Sequence, residues 1–245
     1  MYRDPMLRKQ LTSRNDLYGD LAQILCDITS DVLWEGTRNW VLERKPNATF
    51  RARVGSGNKT YCSSDPHGNF VITFGRVMIF RQFDPNDARF WTHGKEIVDR
   101  GYFSGELDLP QLLAQVTCHE YAHLVQVIKG WRYNGAMHPP EFYRVLDRMH
   151  EGGSADFVLA EIESRCGAAG VPLEFCTELR PERTKEDFPV GETVWFTEGG
   201  GNVVVGTVVK HLRKRVEVEE QDTSRDLKRT YRITPFHLNL GLPPK

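Results

Sequence analysis

Cysteine is scarce in this chain, and none of it is arranged in pairs. Cys26, Cys62, Cys118, Cys166 and Cys176 are odd in number and scattered, with no C-x-x-C among them. That argues against a disulfide framework and against a cysteine-rich zinc ribbon. Long apolar runs are missing too. No stretch approaches the ~20 residues of a membrane span, and the polar opening from Met1 to Gln10 has no apolar segment behind it. The expectation is an intracellular, reducing location, cytoplasmic with nucleoid or nuclear association open, and no membrane partner. Charge of one sign is absent as well: 32 Lys and Arg stand against 33 Asp and Glu, for a net charge of −1. Whole-chain attraction to nucleic acid or anionic membrane is thereby excluded, and any such binding must be regional. There is no internal repeat and no low-complexity tract.

What remains is the composition of a folded protein. Of its 245 residues, 40% are apolar, 27% charged and 11% aromatic, more than a disordered chain would have to bury. Leu17, Leu21, Ile24, Leu25, Ile28 and Val32 recur at helical spacing, so the first element is expected to be an amphipathic helix. Alternation over residues 49–54 and β-branched and aromatic residues from Phe70 to Phe80 suggest two or three strands, taken as a small antiparallel sheet. Phe83 to Gly105 reads as a loop with a short helix. Asp108 and Pro110 then open a helix that runs through Ile128 and stops at Lys129-Gly130. Further helices are expected from Pro139 or Pro140 to His150 and from Ser154 to Cys166. Beyond a charged segment, strands are expected at 192–197, 203–210, 215–220 and 230–233. The fold class is therefore α+β, with one domain over 1–179, a linker at 180–187 and a small β domain over 188–245.

Within the helix ending at Ile128 lies Cys118-His119-Glu120-Tyr121-Ala122-His123, an H-E-x-x-H pentad. Residues four apart share a helix face, so His119 and His123 can present two imidazoles to one metal ion, with Glu120 turned toward its open side. A zinc peptidase site needs a third protein ligand and an open position for water, and His138, after a loop, can complete the set. Glu120 would be the general base and then the proton carrier to the leaving amine. Three imidazoles favour Zn2+ over calcium or magnesium. By chance the pentad occurs in roughly one sequence in a hundred of this length. Its place on a capped apolar helix, followed by a third histidine, favours a metal site. His67, His93, His150, His211 and His237 lack a partner at ligand spacing and are given ordinary surface or structural roles. Cys118 is taken as a buried thiol. For Trp131, Arg132, Tyr133 and Tyr143, contact with a substrate and plain packing both stay open.

The order His119-Glu120-x-x-His123, loop, His138-Pro139-Pro140-Glu141-Phe142 at the head of a helix resembles the SprT-like zinc metallopeptidases, the family of the Spartan-type DNA-protein crosslink proteases. His138 and Phe142 match that family's H-G-x-x-F motif, and the resemblance covers about Asp16 to Cys166. It implies that His119, His123 and His138 bind zinc, that Glu120 is catalytic, and that the substrates are proteins bound or crosslinked to DNA, as in DNA-protein crosslink repair. Two departures bear on the substrate: Pro139 stands where the family has glycine, and the cysteines of the C-terminal zinc ribbon carried by some bacterial members are absent.

Toward the C-terminus, Pro189 to Phe196 and Val205 to Val209 resemble the opening hairpin of SH3-like or KOW-like small barrels, which bind nucleic acid in some proteins and peptides in others. Arg213, Lys214 and Arg215 form one basic turn there, and Lys228 and Arg229 belong to another. In the first domain Arg51 and Arg53 share a strand face by period two. These seven residues are the candidate nucleic-acid contacts, weighed against a solvated sheet face and an inert barrel. Two alternatives to a DNA-directed peptidase stand: a non-catalytic zinc-containing protein that binds nucleic acid or a partner, and a zinc peptidase without a DNA role.

Overall fold

The computed structural model describes residues 5–131, 137–176, 183–198, 202–221 and 229–243. The chain is a mixed α+β protein that divides into two compact units, one over Lys9–Leu179 and one that holds Arg180–Lys245. No helix among the described residues is long and apolar enough to cross a membrane.

The larger unit begins with α1 (Pro5–Ile28), which passes through a π-helical turn at Thr29–Trp34 into α2 (Glu35–Arg44). The apolar positions seen in the sequence, Leu21, Leu25 and Ile28, are fully buried. Thr29 donates its hydroxyl to the Leu25 carbonyl, which keeps a buried polar side chain satisfied inside the helix. Next come β1 (Thr49–Gly55), β2 (Tyr61–Ser64) and β3 (Asn69–Gly75), in the order β1-β3-β2. The sheet is mixed and not antiparallel as the sequence suggested: β2 and β3 form a hairpin, while β1 runs parallel to β3. The physical reason lies in β3, whose Phe70, Ile72 and Phe74 are buried. The most apolar strand takes the centre, where both of its edges are paired. Arg51 and Arg53 then fall on the exposed face of edge strand β1.

Val77 to Phe80, expected in a strand, are helical. The chain leaves β3 at Gly75 and enters α3 (Arg76–Gln82), which turns Met78 and Ile79 into the core. Between Phe83 and Gly105 there is more helix than the sequence indicated: α4 (Pro85–Ala88), capped by Asp84, and α5 (Thr92–Arg100), closed by Gly101 in the left-handed region. Gly94 makes this possible, because a Cβ there would overlap the carbonyl oxygen of Ala88. The remaining helices follow the sequence closely: α6 (Leu109–Ile128), α7 (Pro140–Glu151) and α8 (Ser154–Ala169). Asp108 caps α6 by accepting from the Gln111 amide at 2.9 Å. α6 is buried along most of its length against α8, α7, α5 and the sheet.

The smaller unit is a five-stranded antiparallel sheet in the order β7-β6-β5-β4-β8, with β4 (Thr193–Thr197), β5 (Val203–His211), β6 (Val216–Glu220), β7 (Thr230–Ile233) and β8 (Asn239–Leu240). Alternate residues Val194, Phe196, Val204, Val208, Val216 and Val218 form its core with Phe188 and Leu238. Of the expected linker, residues 180–182 lie outside the described residues. Thr184 and Asp187 make a reciprocal cap on the single turn Lys185–Asp187, and Arg183 Nη1 donates to the Leu238 carbonyl at 2.6 Å.

Gly75 tests this architecture. A Cβ at that position would overlap the carbonyl oxygens of Gly57 and Lys59. Gly75→Ala is therefore expected to destabilise the protein by about 1–3 kcal/mol, the range for overpacking. Chemical denaturation checks it, and an unchanged midpoint would contradict the backbone approach described.

Candidate metal centre

The centre is built on the middle of α6. His119, Glu120 and His123 are buried there because the helix is packed on nearly every side, so their side chains must be met by protein groups or by a ligand. His138 arrives from the turn before α7, which Pro139 and Pro140 start. The three imidazoles converge through the same atom: His138 Nε2 lies 3.1 Å from His119 Nε2 and 3.2 Å from His123 Nε2. Phe142, one turn into α7 and fully buried, packs its ring on all three, with centroid separations of 4.8, 4.5 and 4.8 Å.

The other ring nitrogens decide which tautomers are present. His119 Nδ1 sits 2.9 and 3.1 Å from the two carboxylate oxygens of Glu96, which can only accept, so the proton stays on Nδ1 and is donated to them. Gln126 commits its amide nitrogen to the Trp131 carbonyl at 3.3 Å, so its oxygen accepts from His123 Nδ1 at 3.2 Å. Both Nε2 atoms are then unprotonated and turned toward His138. His138 Nε2 carries at most one proton and can serve only one of them. A cation that takes a lone pair from each ring satisfies all three. Burial holds His119 well below the usual histidine range, reinforced by His123 and His138, and burial lowers His138 as well, so these rings are neutral, as ligation requires. Among the described residues two groups could hold a metal ion: His119, His123 and His138, and His93, His119 and Glu120, whose ligand atoms lie within 4.8 Å of one another.

Around the three imidazoles runs a chain of hydrogen bonds. Gln115 donates to Glu96 Oε2 at 2.8 Å, and His150 Nε2 donates to Gln115 Oε1 at 2.9 Å. His150 stacks flat on Tyr102, with ring centroids 3.7 Å apart. Burial raises the Glu96 carboxyl, while the Gln115 donor pulls it the other way. Burial lowers His93 to about 3, with His119 adding to the shift, and lowers His150 to about 4.

Protein-family models, curated proteins and solved structures give no match to this chain. The site is thus defined by its own geometry. It brings together His119, Glu120, His123 and His138, the residues proposed from the sequence. It adds Glu96, Gln115 and Gln126, and it places His93 and His150, expected from the sequence to have ordinary surface or structural roles, beside them. Glu96 and His93 stand on α5, in a stretch that read as a loop with a short helix; no signal in the sequence pointed to Glu96, and His93 was set aside for lacking a partner at ligand spacing. Gln126 was legible in principle, because it is three residues after His123 on the same helix face. Trp131 lies against the Lys129 and Arg144 cations, and Tyr143 lies under the Arg100 guanidinium at 4.4 Å. Arg132 and Tyr133 are outside the described residues.

Of the candidate nucleic-acid contacts, Arg53 is held on the outer sheet face by Thr73 Oγ1 at 2.9 Å and the Tyr61 hydroxyl at 3.4 Å, beside an open pocket of about 510 Å³ that Lys59 also lines. Arg51 is exposed on the same face. In the smaller unit Arg213, Lys214 and Arg215 are exposed together in the β5–β6 turn, and Arg229 is exposed just before β7. Lys228 lies outside the described residues.

Two outcomes follow from the centre. Glu96→Gln is expected to weaken metal binding roughly 10–100-fold, as loss of a carboxylate partner to a ligating histidine does, measurable by competition with a chromophoric chelator. In the metal-free protein, an unfolded chain takes up protons near pH 6.5 that His93 and His150 refuse until about 3 and about 4. Their stabilising contribution is complete above pH 6.5 and is lost as the pH falls toward 4. Glu96, with its raised carboxyl, acts in the opposite sense, but it is a single group. The melting temperature of the metal-free protein should fall from pH 7 to pH 4, and a flat profile would count against these buried neutral rings.

Proposed function

We propose that this chain is a zinc-dependent endopeptidase of the SprT-like type that cleaves proteins bound or crosslinked to DNA. The observation that carries the reading is the convergence of the His119, His123 and His138 Nε2 atoms beside the buried Glu120. Tetrahedral zinc–nitrogen bonds of about 2.0–2.1 Å separate ligand nitrogens by roughly 3.3 Å, and separations of 3.1 and 3.2 Å fit that requirement. A set of three imidazoles also suits zinc better than calcium or magnesium. When bound, zinc supplies polarisation of a peptide carbonyl and brings the pKa of water toward neutrality. Glu120 accepts the proton of the attacking water and returns it to the departing amine nitrogen. Glu96 and Gln126 hold two of the ligand rings in the tautomer that presents Nε2. Phe142, matching the family's phenylalanine four residues after the third histidine, backs the three rings.

For the target, the support is the distribution of charge. Arg51 and Arg53 on one exposed strand face, and Arg213, Lys214 and Arg215 on one exposed turn, are regional cationic features in a chain of net charge −1. The five-stranded antiparallel C-terminal sheet is in keeping with an SH3-like barrel that serves as a binding module.

The experiment is cleavage of a DNA-bound protein by the zinc-loaded chain, with and without added DNA, beside Glu120→Gln. The variant is expected to keep stoichiometric zinc and to lose roughly 10²–10⁴ in kcat, the usual contribution of a general base. DNA should stimulate the wild type. Cleavage indifferent to DNA removes the DNA role and leaves the peptidase. Salt-sensitive DNA binding without cleavage shows instead a non-catalytic binding protein.

A further inference from the structure

His93 stands on α5 three residues before Glu96 and so shares its inward face. It is buried, and among the described residues neither ring nitrogen has a hydrogen-bond partner. Burying a polar ring without partners is unfavourable, and phenylalanine would fill the same volume without that penalty. The ring meets His119 edge-on, with centroids 4.6 Å apart and planes at 80°. Its ligand atom lies within 4.8 Å of those of His119 and Glu120, whereas the group in which His119 joins His123 and His138 does not take in His93. His93 is therefore beside the carboxylate and not on the convergence point of the three Nε2 atoms. Two groups that each hydrogen-bond one oxygen at about 2.8 Å sit roughly 4.5–5 Å apart. An oxygen held between the two groups would give the His93 ring the partner that no described residue supplies and would reach the Glu120 carboxylate.

We propose that His93 is a catalytic residue of the peptidase reaction put forward above: with Glu120 it holds the water that attacks the scissile carbonyl. The inference rests on that reading. The water donates one hydrogen to the Glu120 carboxylate and the other to the unprotonated nitrogen of the neutral His93 ring, which leaves its lone pairs directed at the reacting centre. On attack, oxygen bonds to the carbonyl carbon and its proton passes to Glu120. The C–N bond then breaks, and Glu120 returns the proton to the amine nitrogen. His93 ends as it began, neutral.

The test uses His93→Phe and His93→Gln in the zinc-loaded full chain, with imidazole 15N resonances as a readout separate from turnover. His93→Phe should hold zinc with wild-type affinity and keep its KM, while kcat falls roughly 10–100-fold. His93→Gln, which restores a hydrogen-bonding group, should recover part of that loss. In the otherwise wild-type protein the His93 15N resonances should move when Glu120 is changed to Gln. Wild-type kcat in His93→Phe together with unmoved resonances would overturn the proposal, and so would loss of zinc in His93→Phe, which would make the ring a ligand. If His93→Phe does not fold, His93→Gln and the resonances decide. If the wild type cleaves nothing, the peptidase reading fails by itself, and coupling of the resonances to Glu120 still reports whether the two groups share an oxygen.

Discussion

The larger unit is governed by one constraint: α6 buries Gln115, His119, Glu120, His123 and Gln126 in the middle of a packed helix. Each unmet polar group in such a place costs about 1–3 kcal/mol, so the surrounding elements are arranged to meet them. α5 supplies Glu96 to both His119 and Gln115, α7 supplies His150 to Gln115, and the turn after α6 offers the Trp131 carbonyl to Gln126. The helices that cover α6 are therefore fixed by directional bonds as well as by apolar contact. Their register cannot slip without stranding a buried donor or acceptor.

Legibility in the sequence follows how local each signal is. α6, α7 and α8 were readable because capping residues and apolar periodicity are written into the segments themselves, as with Asp108, Pro110 and the run from Leu112 to Ile128. The histidine cluster was readable for the same reason: His119 and His123 are four apart on one helix, and His138 precedes the next. Glu96 was not, because its role depends on how α5 docks, and α5 itself was hidden among aromatics, Pro85 and Gly101. His93 and His150 were set aside for lacking partners at ligand spacing, yet tertiary packing brings both to the centre. The parallel pairing of β1 with β3 was likewise invisible, since a strand's alternation says which face is buried and not which neighbour it takes. β8 is two residues long and has no pattern to show.

In the smaller unit the alternation of buried valines made three strands readable in advance, β7 was read from its own β-branched and aromatic residues, and the positive charges there divide into two kinds. Arg232 is tied to Glu217 at 3.2 Å across the strand pair, whereas Arg213, Lys214 and Arg215 extend from a turn. A cross-strand ion pair is a local structural contact, while a cluster on a turn can meet a polyanion without first breaking one.

Phe142 has a consequence for traffic. Its centroid and those of the three imidazoles stand 4.5–5.0 Å apart in every pairing, so the four rings mark the corners of a nearly regular tetrahedron. A ring at the apex seals that side of the triangle of imidazoles. An ion or reactant bound for the three nitrogens must therefore come from a side that Phe142 does not cover, which makes this ring a wall of the centre as well as its support.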